Sequence, residues 1–205
     1  TEYEPSRLRD NLRAGTLVEV EGYMQDGALI AEEIEGYEDD DIEIEAPVSG
    51  VSAELGTVTL QFPNGTLDVI TNNATLFKDD SDGDLNDDGS FSLDELAANE
   101  FVEIEAYLAD DGSLIATTIS REDEISDTEV EGPVQAFVPN ASITVLGITW
   151  TVAPETEYEI DDGNTDADTF WNTIEVGMEI EIEDEAPADG SADKLELDDG
   201  PDDDD

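Results

Sequence analysis

The chain has 205 residues, and 58 acidic against 6 basic side chains give it a formal net charge of −52. Self-repulsion on this scale opposes compaction unless salt or bound cations screen it, and it argues against nucleic acid or an anionic membrane as partner. The absence of cysteine and histidine removes disulfides, thiol chemistry and the commonest general base. Hydrophobic residues still make up 38% of the chain and alternate with polar ones, which indicates a folded β protein. No apolar run approaches the roughly 20 residues of a membrane span.

Three segments share a pattern of strand, Asp-Gly turn and strand, which predicts a β-hairpin with one apolar face. The predicted hairpins lie at residues 17–34, 101–119 and 179–197. A short helix is predicted before each one, since Ser or Asp stands near its start and, in the first and third, Gly follows its end. These helices are predicted at Ser6–Arg13, Ser92–Ala98 and Asp168–Glu175.

Further strands are predicted upstream of the second and third helices. In the second unit they are 42–51, 56–62 and 66–71, and in the third they are 129–138, 142–146 and 149–153. Five strands and one helix per unit are typical of a small barrel of OB-fold size. We therefore predict a mainly β chain of tandem OB-like barrel or sandwich units, each with one short helix.

The predicted domains follow from this repetition. They are a partial repeat at 1–38, a barrel unit with a calcium loop at 42–124, a second barrel unit at 128–199 and an acidic tail at 200–205. Because residues 1–4 match residues 156–159, the first repeat contains a helix and a hairpin but lacks its first three strands. It packs on its neighbour, receives strands from another copy, or belongs to a longer chain.

Residues 84–95 have the spacing of a twelve-residue calcium-binding loop and resemble the loop of an EF-hand. Gly89 occupies the sixth position, where such a loop turns sharply. The predicted Ca²⁺ ligands are Asp84, Asn86, Asp88, Ser90 through its carbonyl, Ser92 through a water, and Glu95 with two oxygens. The alternative is an Asp-rich solvated turn.

A weaker metal site is predicted at the corresponding place of the third unit, where oxygen-bearing side chains recur at every second residue. Its candidate ligands are Asp162, Asn164, Asp166 and Asp168. It lacks both the sixth-position glycine and the closing glutamate. Asp79, Asp80 and Asp82 precede the main loop and extend it towards a second ion.

The alternating strands also place outward carboxylates in rows. These rows contain Glu19 and Glu21, Glu43 and Glu45, Glu103 and Glu105, and Glu179, Glu181 and Glu183. Like charges directly opposite each other destabilise a sheet. Their repetition points to bound cations or a saline habitat, while the simplest alternative is a solvated face.

The few basic residues are unevenly placed. Arg7, Arg9 and Arg13 lie in the predicted first helix, whereas residues 198–205 are almost all aspartate. This asymmetry predicts head-to-tail contact between copies, which generates rings or filaments. The alternative is an ordinary helix with its arginines in water.

No catalytic site is predicted. Paired carboxylates can hydrolyse glycosides, but with 58 acids a pair can be chosen anywhere. Trp150 and Trp171 sit in hydrophobic patterns and are predicted to be core residues.

Short motifs carry a resemblance to a family of secreted bacterial β-repeat domains of unknown function. They are a Thr-x-Phe/Tyr strand end (residues 75–77 and 156–158), a Gly before a Val-Glu-Val-Glu-Gly strand (residues 15–22), and an Ala-x-x-Ile ending (residues 31–34). The second unit departs from this pattern at Asn99 and Ala106. The resemblance implies a β-rich extracellular domain and no catalytic residues.

Together these observations predict an extracellular, calcium-binding structural protein that assembles head to tail with other copies of itself. The alternatives are a monomeric secreted binding module stabilised by calcium, and a salt-adapted acidic surface protein.

Overall fold

The computed structural model describes residues 18–25, 28–36, 42–79, 91–109, 111–122, 127–161 and 163–197. Within these ranges no helix is long and apolar enough to cross a membrane. Several predicted features lie outside the described residues. They are the helix Ser6–Arg13 with its three arginines, residues 1–4, the acidic tail, and the candidate ligands Asp80, Asp82, Asp84, Asn86, Asp88, Ser90 and Asp162.

Fourteen strands and one α-helix are described. The first part of the chain contains β1 (Val18–Gln25), β2 (Ala28–Gly36), β3 (Ile42–Ser52), β4 (Thr57–Phe62), β5 (Gly65–Ile70), β6 (Leu76–Asp79), a 3-10 turn (Leu93–Glu95), β7 (Phe101–Leu108) and β8 (Leu114–Glu122). The second part contains β9 (Thr128–Val138), β10 (Ser142–Val145), β11 (Ile148–Ile160), β12 (Gly163–Asn164), α1 (Ala167–Thr173), β13 (Glu179–Asp184) and β14 (Ser191–Leu197).

The strand pairings of residues 42–122 follow a closed path. β3 pairs with β4 and β7, β4 pairs with β5, and β7 pairs with β8, all antiparallel. β5 meets β8 in parallel at Ile70 and Ile115, which returns the path to its start. β6 extends the edge by pairing with β8 in parallel.

The same order of pairings recurs in residues 128–197. β9 pairs with β10 and β13, β10 with β11, and β13 with β14, again antiparallel. β11 and β14 are parallel neighbours and complete the path. The two halves meet where β3 pairs with β9, at Ile44↔Val130 and Glu45↔Glu129. Strands β3 to β14 thus form one sheet of twelve strands, apart from the separate β1–β2 sheet.

One hydrophobic core serves both halves, because buried residues of β3–β8 and β9–β14 belong to a single cluster. At the junction, Phe62 is fully buried and packs edge-to-face on Trp150, with ring centroids 5.9 Å apart. Beside it, Nδ2 of Asn64 donates a hydrogen bond of 2.7 Å to the carbonyl of Gly190. Burial of both tryptophans confirms their prediction as core residues.

The prediction of a mainly β fold is confirmed, although the sheet as a whole is not a clear barrel. Tandem OB-like units and the domain boundaries stay predictions. The helix predicted at Ser92–Ala98 is only the 3-10 turn, whereas α1 lies close to its predicted position. Asn99 has φ 72°, the left-handed region that Gly177 occupies with φ 96°. Asparagine tolerates this conformation better than most residues, which accounts for its departure from the family motif.

Candidate cation site

Alternation along the strands separates the core from an acidic face. In β3, Ile42, Ile44 and Ala46 are buried, while Glu43 and Glu45 between them are partly exposed. Successive side chains of a strand point to opposite faces of a sheet. The same pattern holds in β7, β9 and β13, so all four strands present glutamates on the face away from the core.

The strand register sets these glutamates opposite one another. Glu43 faces Glu105 and Glu45 faces Glu103 across β3 and β7. On the other edge of β3, Glu45 also faces Glu129 of β9. Across β9 and β13, Glu129 faces Glu183 and Glu131 faces Glu181. We call this row of glutamates on β7, β3, β9 and β13 the carboxylate face.

Two groups on the carboxylate face bring three carboxylates to one point. In each group, one oxygen from every member lies within 4.8 Å of the others. The first triad is Glu43, Glu45 and Glu103, and the second triad is Glu129, Glu181 and Glu183. Because Glu45 and Glu129 are direct cross-strand neighbours, the two triads adjoin.

Partial burial and repulsion from neighbouring carboxylates raise the pKa values of Glu43, Glu103 and Glu129 on this face. Desolvation, followed by the charges of Glu43 and other nearby glutamates, raises the pKa of Glu103 to about 7. Desolvation, followed by the charge of Glu181 and its neighbours, raises the pKa of Glu129 to about 8. The pKa of Glu43 is also raised, by burial and then by Glu105. Near neutral pH, protons therefore compete with cations for this face.

Lys194 of β14 already supplies a positive charge to the second triad. Its Nζ lies 2.9 Å from Glu181, 2.7 Å from Glu183 and 2.7 Å from Glu196. Burial disfavours the ammonium ion, but the hydrogen bonds to these carboxylates outweigh it and raise the pKa of Lys194 above its usual value. In contrast, no lysine or arginine of the described ranges forms an ion pair with Glu43 or Glu103.

The closing end of the predicted calcium loop forms a capping box. The carboxylate of Glu95 accepts hydrogen bonds from the backbone N–H of Ser92 at 3.0 Å and from its hydroxyl at 2.6 Å. Arg121 donates to the Glu95 carbonyl at 3.3 Å and lies over the Phe91 ring. These contacts fix the end of the loop, while most of its ligands lie outside the described residues, so the calcium loop stays a prediction.

The described members of the weaker metal site have other contacts. Asp166 caps α1, since its carboxylate accepts a hydrogen bond of 2.8 Å from the N–H of Thr169, and this bond lowers its pKa. Asn164 lies on β12, and Asp168 lies in the first turn of α1, with both residues exposed. The helix cap explains Asp166 without a metal ion, and the weaker site also stays a prediction.

Sequence reasoning recognised the rows on β3, β7 and β13 but did not include Glu129 or the role of Lys194. The alternation of residues 128–132 was the available signal for Glu129. No sequence signal showed that β3 and β9 are neighbours, because their pairing covers only two residues of each strand. The continuity of the face across both halves is therefore a result of the tertiary structure.

The threonine of each Thr-x-Phe/Tyr motif contacts the second strand of the neighbouring hairpin. The hydroxyl of Thr75 donates to the carbonyl of Ala116 at 2.8 Å, and that of Thr156 donates to the carbonyl of Ala192 at 2.7 Å. The same hydroxyls accept backbone N–H groups of Asn72 and Ala153. Each threonine thus satisfies a backbone N–H three residues upstream and a backbone carbonyl of the hairpin strand beside it, which is β8 for Thr75 and β14 for Thr156.

A family model described as a domain of unknown function, DUF5666, matches residues 1–35, 45–120 and 131–192. No curated protein and no solved structure matches the chain. The matched segments cover well over half of the sequence, and the chain therefore belongs to the DUF5666 family of domains of unknown function.

Proposed function

We propose that this protein is an extracellular structural protein whose acidic β-sheet binds divalent cations, calcium above all. The observation that carries the proposal is the convergence of three carboxylate oxygens within 4.8 Å in each triad. The resemblance to secreted repeat domains favours a location outside the cell. There, calcium sites of 10⁻⁴ to 10⁻³ M affinity are in use.

The spacing of the oxygens admits a divalent cation, because oxygens that lie within 4.8 Å of one another can all reach one ion at the distance of about 2.3–2.6 Å that calcium takes. Magnesium needs oxygens at about 2.0–2.1 Å in a near-ideal octahedron, which three side chains on a rigid pleated surface meet less readily. Water would complete the coordination of calcium on this exposed side of the sheet.

The first triad is the stronger candidate. Lys194 already neutralises part of the second triad, so a further cation gains less there. In the first triad, burial and like charges raise the pKa of Glu103. A cation bound there would relieve the repulsion between the carboxylates and would also displace the proton of Glu103. Calcium affinity should accordingly rise with pH between about 5 and 8.

We also propose that each half of the sheet is an OB-like repeat and that copies of the chain associate. The two closed paths of strand pairing, each with one parallel contact, support OB-like repeats. We propose further that calcium screens the charge enough for copies to associate head to tail, as the separation of basic and acidic ends suggests. Calcium-dependent growth in particle size, measured by light scattering, tests the association apart from the binding.

Salt adaptation is a second candidate, favoured by the net charge of −52, which is far larger than the triads require. Under it, potassium chloride at molar concentration should stabilise the fold as well as millimolar calcium does. Under the calcium proposal, millimolar calcium should add stability even in 1 M potassium chloride, since specific coordination is screened less than long-range repulsion.

The deciding experiment measures bound calcium by equilibrium dialysis of chelator-treated protein in 1 M potassium chloride. The triple variant Glu43→Gln, Glu45→Gln, Glu103→Gln should lose at least one bound ion per chain. A matched variant replaces three exposed acids, Glu54, Glu155 and Glu185, by glutamine and so removes the same formal charge. Equal calcium stoichiometry in the two variants would refute binding at the first triad, and Asp84→Asn with Glu95→Gln reports separately on the loop.

A further inference from the structure

The hairpins β7–β8 and β13–β14 occupy equivalent places in the two halves of the sheet. Each has an antiparallel neighbour on one side, β3 or β9, and a parallel neighbour on the other, β6 or β11. The pattern apolar-Glu-Ile-Glu ends at Glu105 in β7 and at Glu183 in β13. Glu105 lies opposite Thr118 of β8, and Glu183 lies opposite Lys194 of β14. Thr118 and Lys194 therefore hold the same position, which is neutral in the first half and cationic in the second.

The ammonium group of Lys194 occupies the point where glutamates of the second half converge. Its Nζ lies 2.7–2.9 Å from Glu181, Glu183 and Glu196, and 3.9 Å from Glu159. An ammonium has three N–H donors and no acceptor, so three carboxylates at hydrogen-bond distance use all of them. Glu181 and Glu183 are members of the second triad. The carboxylate face thus holds a cation in this half, and that cation is part of the protein.

The first half has the matching glutamates but a threonine in place of the lysine. Thr118 is buried and carries no charge. Lys78 of β6 lies 4.0 Å from Glu105, but half of its side chain is exposed, and such a surface pair contributes little. Glu103 converges instead with the two glutamates of β3 in the first triad. The carboxylates of the first half are therefore open to a cation from solution.

We propose that the residue at the position of Thr118 and Lys194 decides whether a half of the sheet takes a cation from solution. In the second half, the ammonium of Lys194 fills the place of a metal ion and confines calcium to the first triad. Because the ammonium is tethered to its strand, its binding is intramolecular and costs no translational freedom. A calcium ion would have to displace it and break its three hydrogen bonds. This role of Lys194 rests on the calcium binding proposed above.

The geometry around Nζ fits a calcium ion once the lysine is removed. Calcium takes oxygens at about 2.3–2.6 Å, and each carboxylate can give it one oxygen or two. Oxygens of Glu181, Glu183 and Glu196 already surround Nζ at 2.7–2.9 Å, so they need to move inward by only a few tenths of an ångström. Replacing Lys194 by the threonine of the first half should therefore create a calcium site in the second.

The test measures bound calcium on the full-length chain by equilibrium dialysis in 1 M potassium chloride. Lys194→Thr should bind one more calcium ion per chain than the natural protein. Lys78→Thr is the matched control, because it removes the same charge from an exposed side chain and should leave the number of bound ions unchanged. If Lys194→Thr unfolds in chelator, added calcium should refold it, and failure to do so would overturn the proposal.

The reciprocal exchange tests the first half. Thr118→Lys should place an ammonium beside Glu103 and Glu105 and should lose one bound ion. Thr118→Val keeps the size of the natural side chain without a charge and should retain that ion. A folded Thr118→Lys chain that binds as many ions as the natural protein would overturn the proposal.

Two results separate this role of Lys194 from calcium binding itself. If the triple glutamine variant of the first triad loses an ion but Lys194→Thr gains none, calcium binding stands and the role of Lys194 is refuted. If Lys194→Thr gains an ion but the triple variant loses none, calcium binding at the first triad is refuted. In that case the exclusion of a metal ion by Lys194 still stands.

Discussion

Glu129 offers the sharpest test of the carboxylate face, because it lies between Glu45 on one side and Glu183 on the other. Burial, followed by the charges of Glu181, Glu45 and other nearby glutamates, raises its pKa to about 8, whereas an unfolded glutamate titrates near 4.5. Between these values the folded state holds a proton that the unfolded state has released. The contribution of Glu129 to stability is therefore greatest below about pH 4.5 and is lost as pH rises through about 8. Glu129→Gln keeps the size and polarity of the protonated side chain and should remove this loss.

The shift of the pKa from 4.5 to about 8 corresponds to about 5 kcal/mol if the group were fully shielded from water. Glu129 is only partly buried, so solvent screening reduces this to about 1–2 kcal/mol. Glu129→Gln should thus raise the free energy of unfolding by about 1–2 kcal/mol at pH 8.5 and change it little at pH 4.5. In thermal melts this equals about 3–6 °C for a chain of this size.

The measurement is urea denaturation at both pH values in 1 M potassium chloride with a chelator present. Glu155→Gln, at an exposed position, removes the same charge away from the face and reports the effect of net charge alone. A gain that is equal at pH 4.5 and 8.5, or a loss of stability at pH 8.5, would refute the assignment of repulsion to this face. A gain no greater than that of Glu155→Gln would refute it as well.

Four further substitutions test other contacts by urea denaturation. Lys194→Met leaves four carboxylates without their ammonium partner. It should lower the free energy of unfolding by about 3 kcal/mol at pH 8 and by less at pH 5, where protons replace the lost charge. An equal loss at both pH values would contradict this. Thr156→Val and Thr75→Val should each cost about 1–3 kcal/mol, because buried backbone groups lose their partner, while serine at either position should restore most of the stability. Phe62→Ala should cost about 3–5 kcal/mol through the cavity left beside Trp150, and a loss below about 1 kcal/mol would show that the two halves do not share a core.

Local patterns predicted the strands well. Alternation and Asp-Gly turns placed the β7–β8 and β13–β14 hairpins and most of β3, β4, β5, β9 and β10. The predicted strand 149–153 is shorter than β11, which runs on through Pro154 to Ile160. Residues 75–77 are predicted as a strand end, whereas β6 begins at Leu76 and pairs with β8.

The two kinds of candidate cation site differ in how far the sequence reveals them. A calcium loop is recognisable from the sequence because its ligands are close together along the chain, and spacing alone specifies them. The triads join residues of strands that are far apart in the sequence, such as Glu45 and Glu103. Their proximity depends on which strands become neighbours, and no local pattern encodes that choice.

The sequence by itself determined that this is an acidic β protein with repeated hairpins and alternating glutamates, since composition and periodicity are local properties of the chain. Tertiary structure decided that β3 and β9 meet, that Phe62 and Trp150 close one core, and that Lys194 serves several carboxylates at once. The reason is physical: burial and cross-strand pairing act between residues distant in sequence, and only their sum over the whole fold selects one arrangement.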